Sequence, residues 1–243
     1  LSSLGFSQSR VWEKSSTDGN LNSIEISDLD TKHFEVFKLN FQSFKEGLNY
    51  TPLRGTSTSF SNSIIQIPNQ KGVLESFKLY EAPVFSPELS AKYPNIKSYV
   101  GYSNDNSGTR IRMSVSPQGV QAMISYLDKP MVFVQPVKNS DNDYIIYNKQ
   151  ARGEYVDNFR CYTIDEYTKF ADDYSMFNRD ADDQLLRQFR LAISVNGEYT
   201  AYHGGTVAGA LAAINATVTR VNEIFETDMA ITFELVDAEE LIY

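Results

Sequence analysis

One cysteine and two histidines are all that this 243-residue chain carries of the side chains that most readily hold transition metals or form disulfides. A single cysteine, Cys161, excludes an internal disulfide framework. The histidines, His33 and His203, do not lie in an HExxH string, and they leave little for a catalytic triad. Basic residues are also scarce. Lys and Arg number 22 against 31 Asp and Glu, giving a net charge of −9, which argues against a nucleic-acid partner. The acidity serves solubility rather than a particular partner. No apolar run approaches the roughly 20 residues that span a bilayer, so membrane insertion is not expected. The first residues, LSSLGFSQSR, lack both an initiator Met and the basic-then-apolar layout of an export signal. They fit a chain from which such a signal was already removed.

The clearest organised stretch is Phe189–Val236. FRLAISV (Phe189–Val195) reads as a strand closed by the turn pair Asn196-Gly197, and ITFELV (Ile231–Val236) as a second strand. Between them Val207, Leu211, Ile214, Val218, Val221 and Phe225 recur at helical spacing, predicting a helix from about Thr206 to Glu226 with Thr206 as its N-cap. Ala208, Ala210, Ala212 and Ala213 favour helix and allow close approach to a sheet. A lone βαβ unit does not bury both faces of a parallel sheet. Either it packs on the preceding residues or it opens a larger domain, and the expectation is a fragment of such a domain. Dimerisation through the uncovered helix stripe is a further way to bury it.

The first 160 residues read as all-β, in an antiparallel sandwich or open barrel. Predicted strands are Phe34–Phe41, Ser63–Ile67, Val73–Glu81, Lys97–Tyr102, Thr109–Val115, Val120–Tyr126, Met131–Val137, Tyr144–Tyr147 and Glu154–Thr163, separated by turn signals such as Pro117-Gln118-Gly119. Ile111, Met113 and Val115 face one side, Arg110, Arg112 and Ser114 the other. A short helix is expected at Ser86–Tyr93, with Ser86 as N-cap and Pro87 at the first helical position. Most aromatics belong to the core rather than to a carbohydrate groove. Arg110 and Arg112 offer carboxylate binding, but a solvated strand face is the favoured reading. Glu223, Glu226 and Asp228 likewise read as a solvated face. His203-Gly204-Gly205 precedes a helix, yet no phosphate-loop spacing follows and His203 has no partner at metal-ligand spacing.

The string GEYTAYHGGTVAGALAAINATVTRVNEIFETDMAITFELV (Gly197–Val236) closely resembles the start of the catalytic domain in bacterial, secreted reprolysin-like zinc metalloproteases of the metzincin clan. The segments ESFKLYEAPVFSPELSAKYPNIKSYVGYS (Glu75–Ser103) and TRIRMSVSPQGVQAMI (Thr109–Ile124) resemble the prodomain that precedes it. The resemblance implies an α+β chain: a β-rich prodomain over residues 1–183, with an acidic connector from about 164, then the first βαβ of an α/β catalytic domain over 186–243. It implies a zymogen fragment whose prodomain keeps a zinc endopeptidase latent by covering its active-site cleft, and assists its folding. The partners implied are the chain's own catalytic domain, within the chain or in trans, and an activating protease. The family's HExxHxxGxxH is absent, so the chain alone should not hydrolyse peptides. Zinc belongs to the parent enzyme; structural calcium occurs in adamalysin-type relatives, but no ligands for it are assigned here.

Under the same resemblance Cys161, in NFRCYTID, is the cysteine-switch residue whose thiolate takes the zinc position that catalytic water needs. Arg160 fits the Arg-Cys pair of some family switches, whereas Tyr162 stands where those motifs carry Gly. A buried core cysteine remains the other reading. Asp165, Glu166, Asp172, Asp173, Asp180, Asp182 and Asp183 then mark a polar connector, although Tyr167, Phe170 and Tyr174 argue that part of it docks. Activation cleavage is expected within Met176–Arg190, with Arg179 and Arg187 as the trypsin-like sites and an uncut connector as the alternative. A different class of function, an extracellular non-enzymatic β-rich binding or adhesion module, also fits the composition.

Overall fold

The computed structural model describes residues 11–15, 34–56, 61, 63–105, 107–138, 140, 142–148 and 185–243. In chain order the elements are β1 (Trp12–Lys14), β2 (Phe34–Leu39), helix α1 (Phe41–Leu48), β3 (Ile64–Pro68), β4 (Leu74–Glu81), helix α2 (Pro87–Lys92), β5 (Lys97–Ser103), β6 (Arg110–Ser116), β7 (Gly119–Ser125), β8 (Val132–Pro136) and β9 (Asp143–Asn148). β10 (Arg187–Leu191), helices α3 (Gly197–Tyr202) and α4 (Val207–Met229) and β11 (Ile231–Leu235) complete the described residues, with a single 3₁₀ turn at Glu239–Leu241.

The described strands β1–β9 form one antiparallel sheet in the order β1-β2-β9-β8-β7-β6-β5-β4-β3. Strands β3 to β9 meander in sequence, as hairpin-length connections dictate. The sheet curls into a nearly closed barrel. All nine strands feed one apolar cluster, from Trp12 and Phe37 through Ile67, Phe77, Ile111 and Ile124 to Ile146. Trp12, on an edge strand, meets Phe37, Phe44 and Tyr144 edge-on, with ring centroids 5.3–6.4 Å apart. Asn148 of β9 also bonds Gln70 in the β3–β4 turn, bringing distant parts of the strand order together. Gly119 adopts φ of 112° at the β6–β7 turn, a conformation that favours glycine.

The β-rich, barrel-like α+β class expected from the sequence holds, and β2 to β9 match the predicted strands within a few residues. Three local readings need correction. Phe41 does not end a strand but opens α1, because the Asn40 side chain accepts from Ser43 N at 3.0 Å and caps a helix there. Asn196-Gly197 is not a bare turn: Asn196 caps α3 through Tyr199 N. The first strand of the C-terminal unit ends at Leu191, and Val195 makes a separate parallel bridge with Ile242. Ser86, Pro87 and Thr206 occupy the capping and first-turn positions read from the sequence. The predicted strand Glu154–Thr163, His33, Cys161, Arg179 and the acidic connector lie outside the described residues.

Residues 185–243 form a compact α/β unit in which β10 and β11 pair in parallel, Phe189 opposite Phe233 and Leu191 opposite Leu235. Its long helix α4 lies across β5, β6 and β7 of the barrel. The βαβ unit therefore packs on what precedes it, and the helix stripe is covered within the chain.

Candidate functional site

Helix α4 is the hinge-pin of the joint because two of its faces are buried. Thr206 Oγ1 accepts from Gly209 N at 3.0 Å to start the helix. Ala230, at φ 53°, ends it in the left-handed region and turns the chain directly into β11. The apolar stripe read from the sequence points toward the unit's own strands. Leu211, Ile214 and Val218 join Leu235, and also Val84, Phe85, Leu89 and Ile96 from the β4–β5 connection, in one composite core. Residues 82–96 therefore belong to the barrel by chain order but to the α/β unit by packing.

That connection also donates a strand. Leu235 N donates to Val84 O at 2.7 Å and Ser86 N donates to Leu235 O at 2.9 Å, so residues 84–86 extend the parallel pair beyond β11. One step along the same edge, the Asn222 side chain both donates to Phe233 O and accepts from Phe233 N, each at 2.9 Å. The outer edge of β11 is thus closed by Asn222 at Phe233 and by the donated strand at Leu235. Beyond β11, Lys92 Nζ pairs with Asp237 and Glu239 at 2.7 and 2.8 Å, and Tyr93 donates to Glu239. Burial and the Glu239 carboxylate push the Tyr93 phenol up to about 12.

The second face of α4 is polar and lies on the strand face that carries Arg110, Arg112 and Ser114. Asn215, Thr219, Glu223 and Glu226 follow one another at helical spacing along it. Asn215 Nδ2 donates to Ser114 Oγ at 2.8 Å, and Ser98 Oγ donates to Asn215 Oδ1 at 3.0 Å. Ser98 and Thr219 hydroxyls lie 2.9 Å apart. Arg220 donates to Gln121 Oε1 at 3.0 Å and stacks over the Phe133 ring. At the helix start, Gln118 donates to His203 O at 3.1 Å.

The centre of this face is an ion cluster. Arg112 Nε donates to Glu223 Oε2 at 3.0 Å, with only 2% and 3% of the two side chains exposed, and Arg112 also pairs with Glu226. Arg54 grips Glu226 with both terminal nitrogens, at 2.7 and 3.2 Å. Arg110 Nε lies 3.2 Å from Glu223 Oε1, and its Nη1 donates to Thr227. Three guanidinium groups therefore face two carboxylates. Burial pushes the Glu226 carboxyl up, but the Arg54 hydrogen bond and the charges of Arg112 and Arg54 outweigh it, leaving it below the ordinary range. Burial lowers Arg54, and Glu226 more than compensates, so its net shift is upward.

These contacts overturn two sequence expectations. Arg112 is not on a solvated strand face, and Glu223 and Glu226 are not on a solvated helix face; only Asp228 of that group is exposed. The carboxylate-binding reading of Arg110 and Arg112 is realised, with the carboxylates supplied by the same chain. Sequence periodicity had no means of seeing a partner 111 residues away.

The other sequence-predicted positions lie apart from this site. His203 packs against the Tyr199 and Tyr202 rings, and burial followed by the Lys138 charge lowers its pKa. Arg187 opens β10, where its N–H donates to Ala230 O at 2.8 Å. Among the described residues no group of three or more His, Cys, Asp and Glu side chains is placed to hold a metal ion, so they do not fit a catalytic zinc. No described helix is long and apolar enough to cross a membrane.

Comparison with known proteins bears on the C-terminal unit alone. Residues 186–243 match the family described as metallo-peptidase family M12B, reprolysin-like. The match covers essentially the whole α/β unit and none of the nine-stranded sheet. No curated protein and no solved structure matches the chain. Residues 186–243 are accordingly similar to the reprolysin-like metallopeptidases.

Proposed function

We propose that residues 1 to about 183 are the inhibitory and folding-assisting prodomain of a secreted bacterial zinc metalloendopeptidase, and that residues 186–243 are the opening βαβ of its catalytic domain. The observation that carries this reading is the composite joint. A β-rich domain without a metal site in its described residues lends a strand, a helix and three arginines to a unit of metallopeptidase type. A βαβ segment has too little core to stand alone, so such a loan serves its folding. The same grip holds the domain on the enzyme for latency.

Within this reading Cys161 is the residue assigned to the open position of the parent's zinc, where a thiolate leaves no water to activate. Activation follows scission within Met176–Arg190, at Arg179 or, more slowly, at Arg187, which pairs from β10 with Ile231. The test is inhibition of the mature, zinc-loaded parent peptidase by residues 1–185, wild type against Cys161→Ala. Strong inhibition that collapses in the variant supports the thiolate switch. Inhibition that survives supports latency by surface contact alone. Absence of inhibition by both forms contradicts the prodomain reading and favours the binding module.

A further inference from the structure

The polar face of α4 and the strand face beneath it have an unusual property for a buried joint: the side chains that bond across it are polar or charged. Ser98, Arg110, Arg112, Ser114 and Gln121 stand on one side, and Asn215, Thr219, Arg220, Glu223 and Glu226 on the other. A joint that only had to be stable gains little from such residues. Buried ion pairs are often no better than apolar side chains of equal volume, because both charges lose their water. Their strength is discrimination. A helix without the matching group at each position leaves a buried arginine or hydroxyl unpaired, and that omission is costly.

The contacts also carry a register. Asn215 to Glu226 covers three helical turns, and the partners change along them: Asn215 meets Ser98 and Ser114, Thr219 and Arg220 meet Ser98 and Gln121, and Glu223 and Glu226 meet the arginines. Sliding the helix by one turn puts Thr219 and Asn222, in place of Glu223 and Glu226, against the guanidinium groups. An apolar cluster lies beside this face, through Val84, Phe85, Leu89 and Ile96 on the β4–β5 connection. Affinity and selection are therefore divided between two adjacent surfaces of the barrel, the division seen at protein–protein interfaces with an apolar anchor and charge-coded specificity.

We infer that the β5–β7 face, together with the 84–96 arm, is a self-sufficient recognition surface. Its partner is the α/β unit 185–243, read through Asn215, Thr219, Arg220, Glu223 and Glu226, and the contact outlasts the covalent link. This rests on the prodomain reading and adds to it the surface by which the domain selects its own enzyme. It places the holding contacts on helix α4 and the outer edge of β11.

The test uses the full chain carrying a specific protease site within residues 149–184, purified intact and then cut. Size-exclusion at micromolar and then at lower concentrations measures association. Trp12, the only tryptophan, is buried in the barrel and reports its folding independently. The expected result is co-elution of the two cut pieces, with affinity falling about a hundred-fold or more in Arg112→Met and in Glu223→Gln. Glu223→Gln changes the helix piece, so its loss with an unchanged Trp12 signal is not a folding failure of the barrel. Combining the two substitutions should cost less than the sum of the single losses. Separation of the wild-type pieces at micromolar concentration overturns the inference, as does wild-type affinity in both variants. The readout is binding, so failure here leaves the latency reading to stand or fall on the peptidase assay.

Discussion

Arg112 on β6 and Glu223 on α4 are 111 residues apart in the chain and 3.0 Å apart in space, with almost no solvent reaching either. Each charge is paid for only by the other and by their shared neighbours. Arg112→Met should therefore destabilise the docking of the α/β unit on the barrel by about 3–5 kcal/mol, because Glu223 and Glu226 lose their central partner while remaining buried. Arg112→Met combined with Glu223→Gln should recover part of that loss. Chemical denaturation of the four proteins in the cycle measures it, and simple additivity would show that the two side chains do not interact.

Glu226 gives the joint an acid limit. Its folded pKa lies below the ordinary glutamate value of 4.5, so its contribution is fully present above that value and is lost as pH falls through the folded one. Arg54 is shifted upward, and its contribution persists throughout the neutral range. Melting temperature should accordingly be insensitive to this pair from about pH 5 upward and fall below pH 4.5. In Glu226→Gln the acid-dependent part of that fall should shrink; an unchanged pH profile would remove Glu226 from the account.

Gly101 separates barrel stability from the joint. A Cβ at this position would come within 2.5 Å of Leu79 Cδ2 and 2.6 Å of Ile111 Cγ2, both side chains fully buried. Gly101→Ala should cost about 1–3 kcal/mol by overpacking. Trp12 fluorescence should register it as a lower unfolding midpoint of the barrel. A neutral substitution would mean that the β4–β5–β6 packing is looser than these distances state.

Arg187 should be a slow site for trypsin. Its main chain is bonded to Ala230 and its residue pairs with Ile231, so cleavage there requires β10 to peel from β11. Limited digestion followed by mass spectrometry should show the bond after Arg187 cut late, and faster in Leu235→Ala, where the composite core is weakened. Immediate cleavage after Arg187 in the wild type would contradict this pairing.

Much of the fold is legible in the sequence because local signals agree. Alternation marked β6, the Ser86-Pro87 pair marked α2, and the stripe from Val207 to Phe225 marked α4. The short β1 and α1 escaped, since three residues carry no period and the strand read as Phe34–Phe41 ran through the cap residue Asn40. The joint escaped for a deeper reason. Charges alternating with Ile111 and Met113 are what a solvated strand face looks like, and only the tertiary fold brings α4 over them. One clue was present. Ala216 and Thr219 are buried beside Asn215, outside the apolar cluster that takes up the stripe, and such small residues permit close packing.

Hydrogen exchange across the full chain, wild type against Arg112→Met, tests most directly whether the polar face holds the α/β unit on the barrel. The account predicts that amides of α4 and β11 lose protection together in the variant, while those of β2, β8 and β9 keep theirs. Equal loss across barrel and helix, or unchanged protection of α4, would contradict it.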